Sequence, residues 1–263
     1  MTRNTYIAAA LCLLAGGLAG CSDKDDEQPA NNTWTLNVMA TKSDAPATRS
    51  LSYKEEGSTK TLTASWAIGE TVDVRTGLHT DSRGTLTAQD NATKANLTGT
   101  INGTHFSTEN TLSLWFPVYP GDAISYLRQR GTLADIAARF DYAHASVSVN
   151  SVDASNQVLT TTDATFVNVQ AIVKFTLYDT ENKSLAVSEM HVSDGSTEIA
   201  NAGLNPVKSE VWLALPPVNS KTITLTATSG GNSYTFTTPS PISFQQGHFY
   251  PINVKMAKVV PQD

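Results

Sequence analysis

Cysteine is almost missing from this chain of 263 residues: there are two, Cys12 and Cys21, both near the N-terminus. The body of the chain therefore has no disulfide, no CxxC redox pair and no thiolate metal site. Its stability must come from a hydrophobic core. Charge is also sparse, at 16% of residues, and the formal balance is −6. No basic stripe exists to neutralise phosphates, which argues against a nucleic-acid partner. The five histidines, His79, His105, His144, His191 and His248, are scattered, with no HExxH and no pair at ligand spacing. No metal or cofactor is expected from them. GxSxG, P-loop and GxGxxG patterns do not occur. His191, Ser193 and Asp194 are neighbours, but alternation along a strand puts His191 and Ser193 on one face at a loop edge, which is no triad. An enzyme is not expected. No apolar run reaches the roughly 20 residues that cross a bilayer.

What is present begins at the N-terminus. Arg3 precedes the apolar stretch Tyr6 to Leu14, and Leu18-Ala19-Gly20-Cys21 follows. This order reads as a secretory signal over residues 1–20. Its cut would leave Cys21 at the new N-terminus, the acceptor used in bacterial lipoprotein processing. Two or more acyl chains, palmitate among them, would then hold the protein stably at the outer membrane. With Arg3 gone, the balance of −6 becomes −7. Residues 21–32 contain Asp23, Asp25, Asp26 and Glu27 and form an acidic tether. That segment also resembles the export signal that sends lipoproteins of the Bacteroidota to the cell surface.

The rest reads as β-structure. Leu62, Ala64 and Trp66 alternate with polar residues, and so do Val72 with Val74 and Leu112 with Leu114 and Phe116. Val169, Ala171, Val173, Phe175 and Leu177 extend the pattern over one long strand. Val211-Leu213-Leu215, Ile223-Leu225-Ala227, Tyr234-Phe236 and Tyr250-Ile252-Val254-Met256 follow. Such alternation predicts antiparallel sheets with one solvated face. One short helix is predicted, capped by Thr132 with Asp135 and apolar at Leu133, Ile136, Ala137 and Phe140. There are too many strands for one sandwich. The expected fold is all-β: two tandem antiparallel β-sandwiches, transthyretin-like or Greek-key, at 33–160 and 161–263, split in Thr160-Thr161-Thr162-Asp163. Among the tryptophans, Trp66 follows the apolar phase and reads as core. Trp115 and Trp212 fall out of phase, placed to pack between the two domains before stacking on a sugar or covering an intersubunit contact.

Several segments resemble the fimbrillin family, lipoprotein subunits of type V pili in Bacteroidota, akin to the major and minor fimbrial antigens. Thr48-Arg49-Ser50-Leu51 is followed by Trp66-Ala67-Ile68-Gly69-Glu70-Thr71-Val72-Asp73-Val74, similar to the family's TR-S-L and W-x-x-G-D-x-[VI]-x-V, with Glu70 in place of Asp. Phe116-Pro117-Val118-Tyr119-Pro120 resembles its aromatic-proline corner. Asp141-Tyr142-Ala143-His144-Ala145 resembles its D-Y-L-Y-A box, departing at two positions. Phe166 to Phe175, Val211 to Pro217 and Gly247 to Met256 resemble strands of the second domain. The resemblance implies that an arginine-specific surface protease trims the N-terminal segment, here between Arg49 and Ser50. Residues 33–49 would then be a removable strand, with Trp34, Leu36, Val38 and Ala40 on its apolar face, followed by a cleavable linker. A strand from a neighbouring subunit would refill the groove and build a head-to-tail polymer. The candidate donor is the C-terminal strand bearing Tyr250, Ile252, Val254 and Met256. Read from residues alone, 33–41 is rather a permanent first strand and Arg49 an ordinary surface arginine, and 248–258 can stay as a closing strand of its own domain. The partners implied are other pilin subunits, the protease, the outer membrane and a host or bacterial surface ligand. A tip adhesin or a monomeric glycan-binding lipoprotein of similar fold is the alternative.

Overall fold

Period-two alternation of apolar and polar side chains sets nearly every element, because one face of each strand must reach a dry interior. The computed structural model describes residues 32–42, 50–77, 82–121 and 123–260. The signal segment, most of the tether, Cys21 and Arg49 lie outside these residues. In chain order the first half gives β1 (Thr33–Lys42), β2 (Ser50–Glu56), β3 (Thr59–Ser65), β4 (Thr71–Thr76), β5 (Arg83–Ala88), β6 (Lys94–Asn102) and β7 (Thr111–Phe116). Then come α1 (Leu133–Arg139), β8 (Ala143–Asp153), β9 (Val158–Thr161) and β10 (Ala164–Asn168).

One sheet takes eight of these strands in the order β10-β1-β6-β5-β4-β7-β8-β9, and its ends meet through β10 with β8 and β1 with β9. β9 and β10 thus share one position between β8 and β1. The sheet is a closed barrel, which leaves no open edge. Its interior holds Trp34, Leu36, Val38, Trp66, Val72, Val74, Leu86, Leu97, Leu112, Leu114, Phe116 and Phe166. This corrects the expectation of a first sandwich. It also moves the boundary placed at residue 160, because β9 spans that position and β10 returns to the barrel. Phe166, read as part of the second domain, lies in the first core.

The second half gives β11 (Ala171–Asp179), β12 (Val187–Asp194), β13 (Thr197–Lys208), β14 (Glu210–Leu215), β15 (Val218–Lys221), β16 (Ile223–Ser229), β17 (Asn232–Thr237), β18 (Ile242–Phe244) and β19 (Phe249–Lys258). Seven of them form a sheet ordered β13-β12-β16-β17-β19-β11-β14, and β15 pairs with β18. Pairing is not antiparallel throughout. β1 runs parallel to β9 and β10, and β11 runs parallel to β19. Parallel neighbours need long connections, and these pairs are separated by most of a domain's sequence.

β11 is buried on both faces, with Ile172 and Lys174 as sheltered as Val173 and Phe175. The cover comes from the first half of the chain. Leu51, Tyr53 and Leu62 of the β2–β3 hairpin pack into the second core, as do Tyr126, Ile136 and Phe140 around α1. Buried Gln129 supports this cover by donating to the Ala214 carbonyl and accepting from its N–H, each at 2.8 Å. Two cores therefore share a chain that crosses between them more than once. α1 starts as predicted: Thr132 Oγ1 accepts from the Asp135 N–H at 3.1 Å. The Asp135 carboxylate turns to the Arg130 N–H and to Arg139, not to the cap's own N–H.

Candidate functional site: the first strand and its groove

β1 lies in the barrel wall with strands on both sides. Against β6 it is antiparallel, from Thr33 opposite Asn102 to Thr41 opposite Lys94. On the other side its first half runs beside β9 and its last residues beside β10. Trp34, Leu36, Val38 and Ala40 are all buried, as the alternation predicts, and Thr33, Thr35, Asn37 and Met39 face out. At the entry, the Trp34 indole donates to the Gly103 carbonyl at 2.9 Å and meets Phe106 edge-on at 5.4 Å. Farther along, Ala40 sits fully buried between Ala95 on β6 and Ala164 on β10, where a larger side chain would overpack the core.

The far end is polar and buried. Lys42, 2% exposed, keeps the inward phase of the strand. Its ammonium lies 2.9 Å from Glu70 Oε2, 3.4 Å from the Ser65 carbonyl and 3.7 Å above the Trp66 ring, with Phe116 at 4.5 Å. Burial pulls the lysine down to about 8, partly opposed by its hydrogen bond to Glu70. The Trp66-to-Glu70 turn places the carboxylate: Gly69 takes φ +87°, a left-handed value that suits glycine. Glu70 Oε2 also accepts from the Ala67 N–H at 3.0 Å. Trp66 in turn donates from its indole to the Ala40 carbonyl at 3.1 Å and packs edge-on against Phe116 and Phe166.

Asp141 completes this end. It is 3% exposed, and its Oδ1 receives the Asn168 and Gln170 amides at 3.4 Å each. Burial drives its carboxyl well above the usual range, against the opposing pull of nearby Lys42. Glu70 Oε1, Asp141 Oδ2 and Asn168 Oδ1 have no hydrogen-bond partner. Unpaired buried polar atoms are uncommon, so their clustering at one end of β1 is informative. The cluster is sealed from solvent and offers no bound reactant a place. Among the described residues, no group of three or more His, Cys, Asp or Glu could hold a metal.

The other sequence-derived candidates fall as follows. Cys21 and Arg49 are outside the described residues, and Ser50 opens β2 opposite Ser65. β19, the candidate donor, lies inside the second sheet between β17 and β11. Val254 and Met256 are buried there, while Tyr250 and Ile252 are half-buried. The candidate donor is therefore in use within its own domain. Trp66 is core. Trp212 is covered by Tyr53 at 5.1 Å and stacks on Phe249 at 5.6 Å. Trp115 remains at the barrel surface, beside Tyr119 and His144, on a cleft of about 460 Å³ that His144, Thr165, Val167 and Gln246 also line. His191 bonds to Glu198 and Glu189, not to Ser193 or Asp194. No helix among the described residues is long and apolar enough to cross a membrane.

No family model matches the chain, and no curated protein matches it. Solved structures of similar shape include a candidate cell adhesion protein from Bacteroides ovatus, at 13% identity and TM-score 0.48, covering 87% of this chain and 98% of that one. Another, from Bacteroides uniformis, has 13% identity and TM-score 0.48, covering 86% and 97%. A C-terminally truncated tip fimbrial protein from Porphyromonas gingivalis has 8% identity and TM-score 0.42, covering 88% and 96%. At these identities and scores the likeness carries no function across.

Proposed function

We propose that this chain is a structural or adhesive subunit of a type V pilus, exported as a fimbrillin-type lipoprotein that Cys21 holds at the outer membrane until the chain is trimmed. One observation carries the reading. β1 is a wall strand of a closed barrel, yet it joins the rest only at its C-terminal end, through residues 43–49. A cut after Arg49 would free it without breaking any other connection of the barrel. Its departure would expose the seats of Trp34, Leu36 and Val38 and unpaired groups on β6, β9 and β10. Each large apolar seat is worth roughly 1.5–3 kcal/mol. A strand from another subunit refills such a groove by β-augmentation. Because donor and acceptor surfaces differ, the contact runs head to tail.

Donation by this chain's own β19 would break its pairing with β11 along Ile172 to Asp179 and empty the seats of Val254 and Met256. The reading that fits best is a subunit that accepts a strand without giving one, as a tip subunit would. A second reading, glycan binding, is supported by Trp115 on its open cleft, since an indole face suits a sugar ring.

Treating the purified full chain with an arginine-specific protease tests the proposal. A cut confined to Arg49, followed by a stable complex with a donor subunit on gels, supports acceptance of a strand, and ladders of the chain alone would indicate donation as well. An uncut monomer that binds polysaccharide supports the second reading.

A further inference from the structure

Lys42 is the one inward residue of β1 that is not apolar. Closing the barrel does not require a charge there. Hydrophobic residues of similar volume commonly replace a buried ion pair at no loss of stability. What the charge does serve is the rest of the barrel, which keeps two carboxyl groups at this end, Glu70 and Asp141, each with an oxygen lacking a partner. With β1 gone, neither would have its cation. Asp141, raised by burial, can take up a proton, but a strand that enters without a cation would bury the Glu70 carboxylate uncompensated, the arrangement that buried pairs tolerate least.

We propose that the groove under β1 is a charge-keyed docking site, which admits an extended strand of a different subunit only when a lysine falls at the Lys42 position, with a small residue at Ala40 and an aromatic at Trp34. This rests on the exchange reading above. The key also fixes register. A slip of one residue turns the apolar face outward, and a slip of two keeps the face but carries the cation roughly 7 Å from Glu70. The Trp34 and Ala40 seats oppose the second slip by size, and the ion pair with Glu70 adds a penalty in charge. A single buried polar contact sets register in coiled coils for the same reason.

β19 combines this lysine spacing with an aromatic at the first position. In β19, Tyr250, Ile252, Val254, Met256 and Lys258 repeat the order of Trp34, Leu36, Val38, Ala40 and Lys42. Two positions make it a poor occupant. Pro251 would replace Thr35, whose N–H donates to the Gln157 carbonyl at 2.8 Å. Met256 would replace Ala40 between Ala95 and Ala164. The preferred occupant is therefore a strand from another kind of subunit, small where Ala40 is small.

The test uses the full chain with a cleavage site for an exogenous protease inserted between residues 43 and 49, so that its outcome does not depend on Arg49. After cutting, fluorescent ten-residue peptides compete with the bound strand. The peptide of residues 33–42 should exchange in, and its Lys42→Met version should bind at least about 150-fold more weakly, the factor that loss of one partner of a buried pair implies. In Glu70→Gln protein that gap should shrink to about threefold or less. The two peptides need no mutation of the protein, so the comparison survives if Glu70→Gln fails to fold. Equal binding by both peptides would overturn the key while leaving exchange intact. No exchange by the 33–42 peptide itself would overturn the exchange reading and the key with it. Binding of the 249–258 peptide as tight as that of 33–42 would overturn the choice of partner in favour of a second copy.

Discussion

Replacing Lys42 by methionine and Glu70 by glutamine, singly and together, would expose how much of the barrel's stability passes through one contact. Lys42→Met keeps the apolar stem but leaves Glu70 Oε2 with only the Ala67 N–H, and Oε1 with nothing. Removing one partner of a buried pair costs about 3–5 kcal/mol. Glu70→Gln should cost less, about 2 kcal/mol, because the ammonium keeps the Trp66 and Phe116 faces at 3.7 and 4.5 Å and the Ser65 carbonyl. The double variant carries no uncompensated charge at the pair and should lie within about 1 kcal/mol of the parent, since Asp141, already driven upward by burial, can hold a proton. The coupling energy is then about 5 kcal/mol, a large share of a typical 5–15 kcal/mol total. Urea unfolding of the four proteins measures it, provided the slope is unchanged. Additivity within about 0.5 kcal/mol would refute the reasoning, because it would mean that Lys42 and Glu70 do not compensate each other.

Other perturbations follow from separate parts of the fold. Lys42 is held near 8, whereas in the unfolded chain it keeps its proton to about 10.5. The unfolded state then binds more protons between these values, so stability should rise with pH across that window by roughly 3 kcal/mol, and the slope should vanish in Lys42→Met. Gly99→Ala should break the β5–β6 ladder, since the added Cβ would stand 2.0 Å from the Thr85 carbonyl oxygen; hydrogen exchange along β5 would report it. Tyr53→Ala removes edge contacts to Trp212 and Phe249 at 5.1 and 5.9 Å and should cost about 3 kcal/mol, with the Trp212 emission shifted to the red.

Much of the fold was legible because the strands obey a two-residue period. Trp34, Leu36, Val38 and Ala40 are all inward, and the short helix begins on Thr132. Extending the same phase by one step would have put Lys42 inside. A lysine at the start of a polar stretch reads as linker, because lysine is so seldom buried. Asp141 gave no such signal, since its burial depends on Asn168 and Gln170 arriving from β10 and the residues just beyond it. Closure of the barrel was hidden for a similar reason. Parallel contacts of β1 with β9 and β10 join segments more than a hundred residues apart, and no local pattern encodes them. The sequence pattern of β11 is one-sided, and its second face is covered by Tyr53 and Leu51 of the distant hairpin. That cover also explains why Lys174 is buried in an apolar strand: it pairs with Glu210 at 2.9 Å and lies over the Tyr53 ring at 4.7 Å.

Mass spectrometry of the N-terminus in material sheared from the cell surface tests the removable strand most directly. Subunits in assembled fibres should begin at Ser50, with no peptide from Thr33 to Lys42 joined to them. Recovery of assembled subunits in which Trp34 to Thr41 is still covalently continuous with Ser50 would contradict the account.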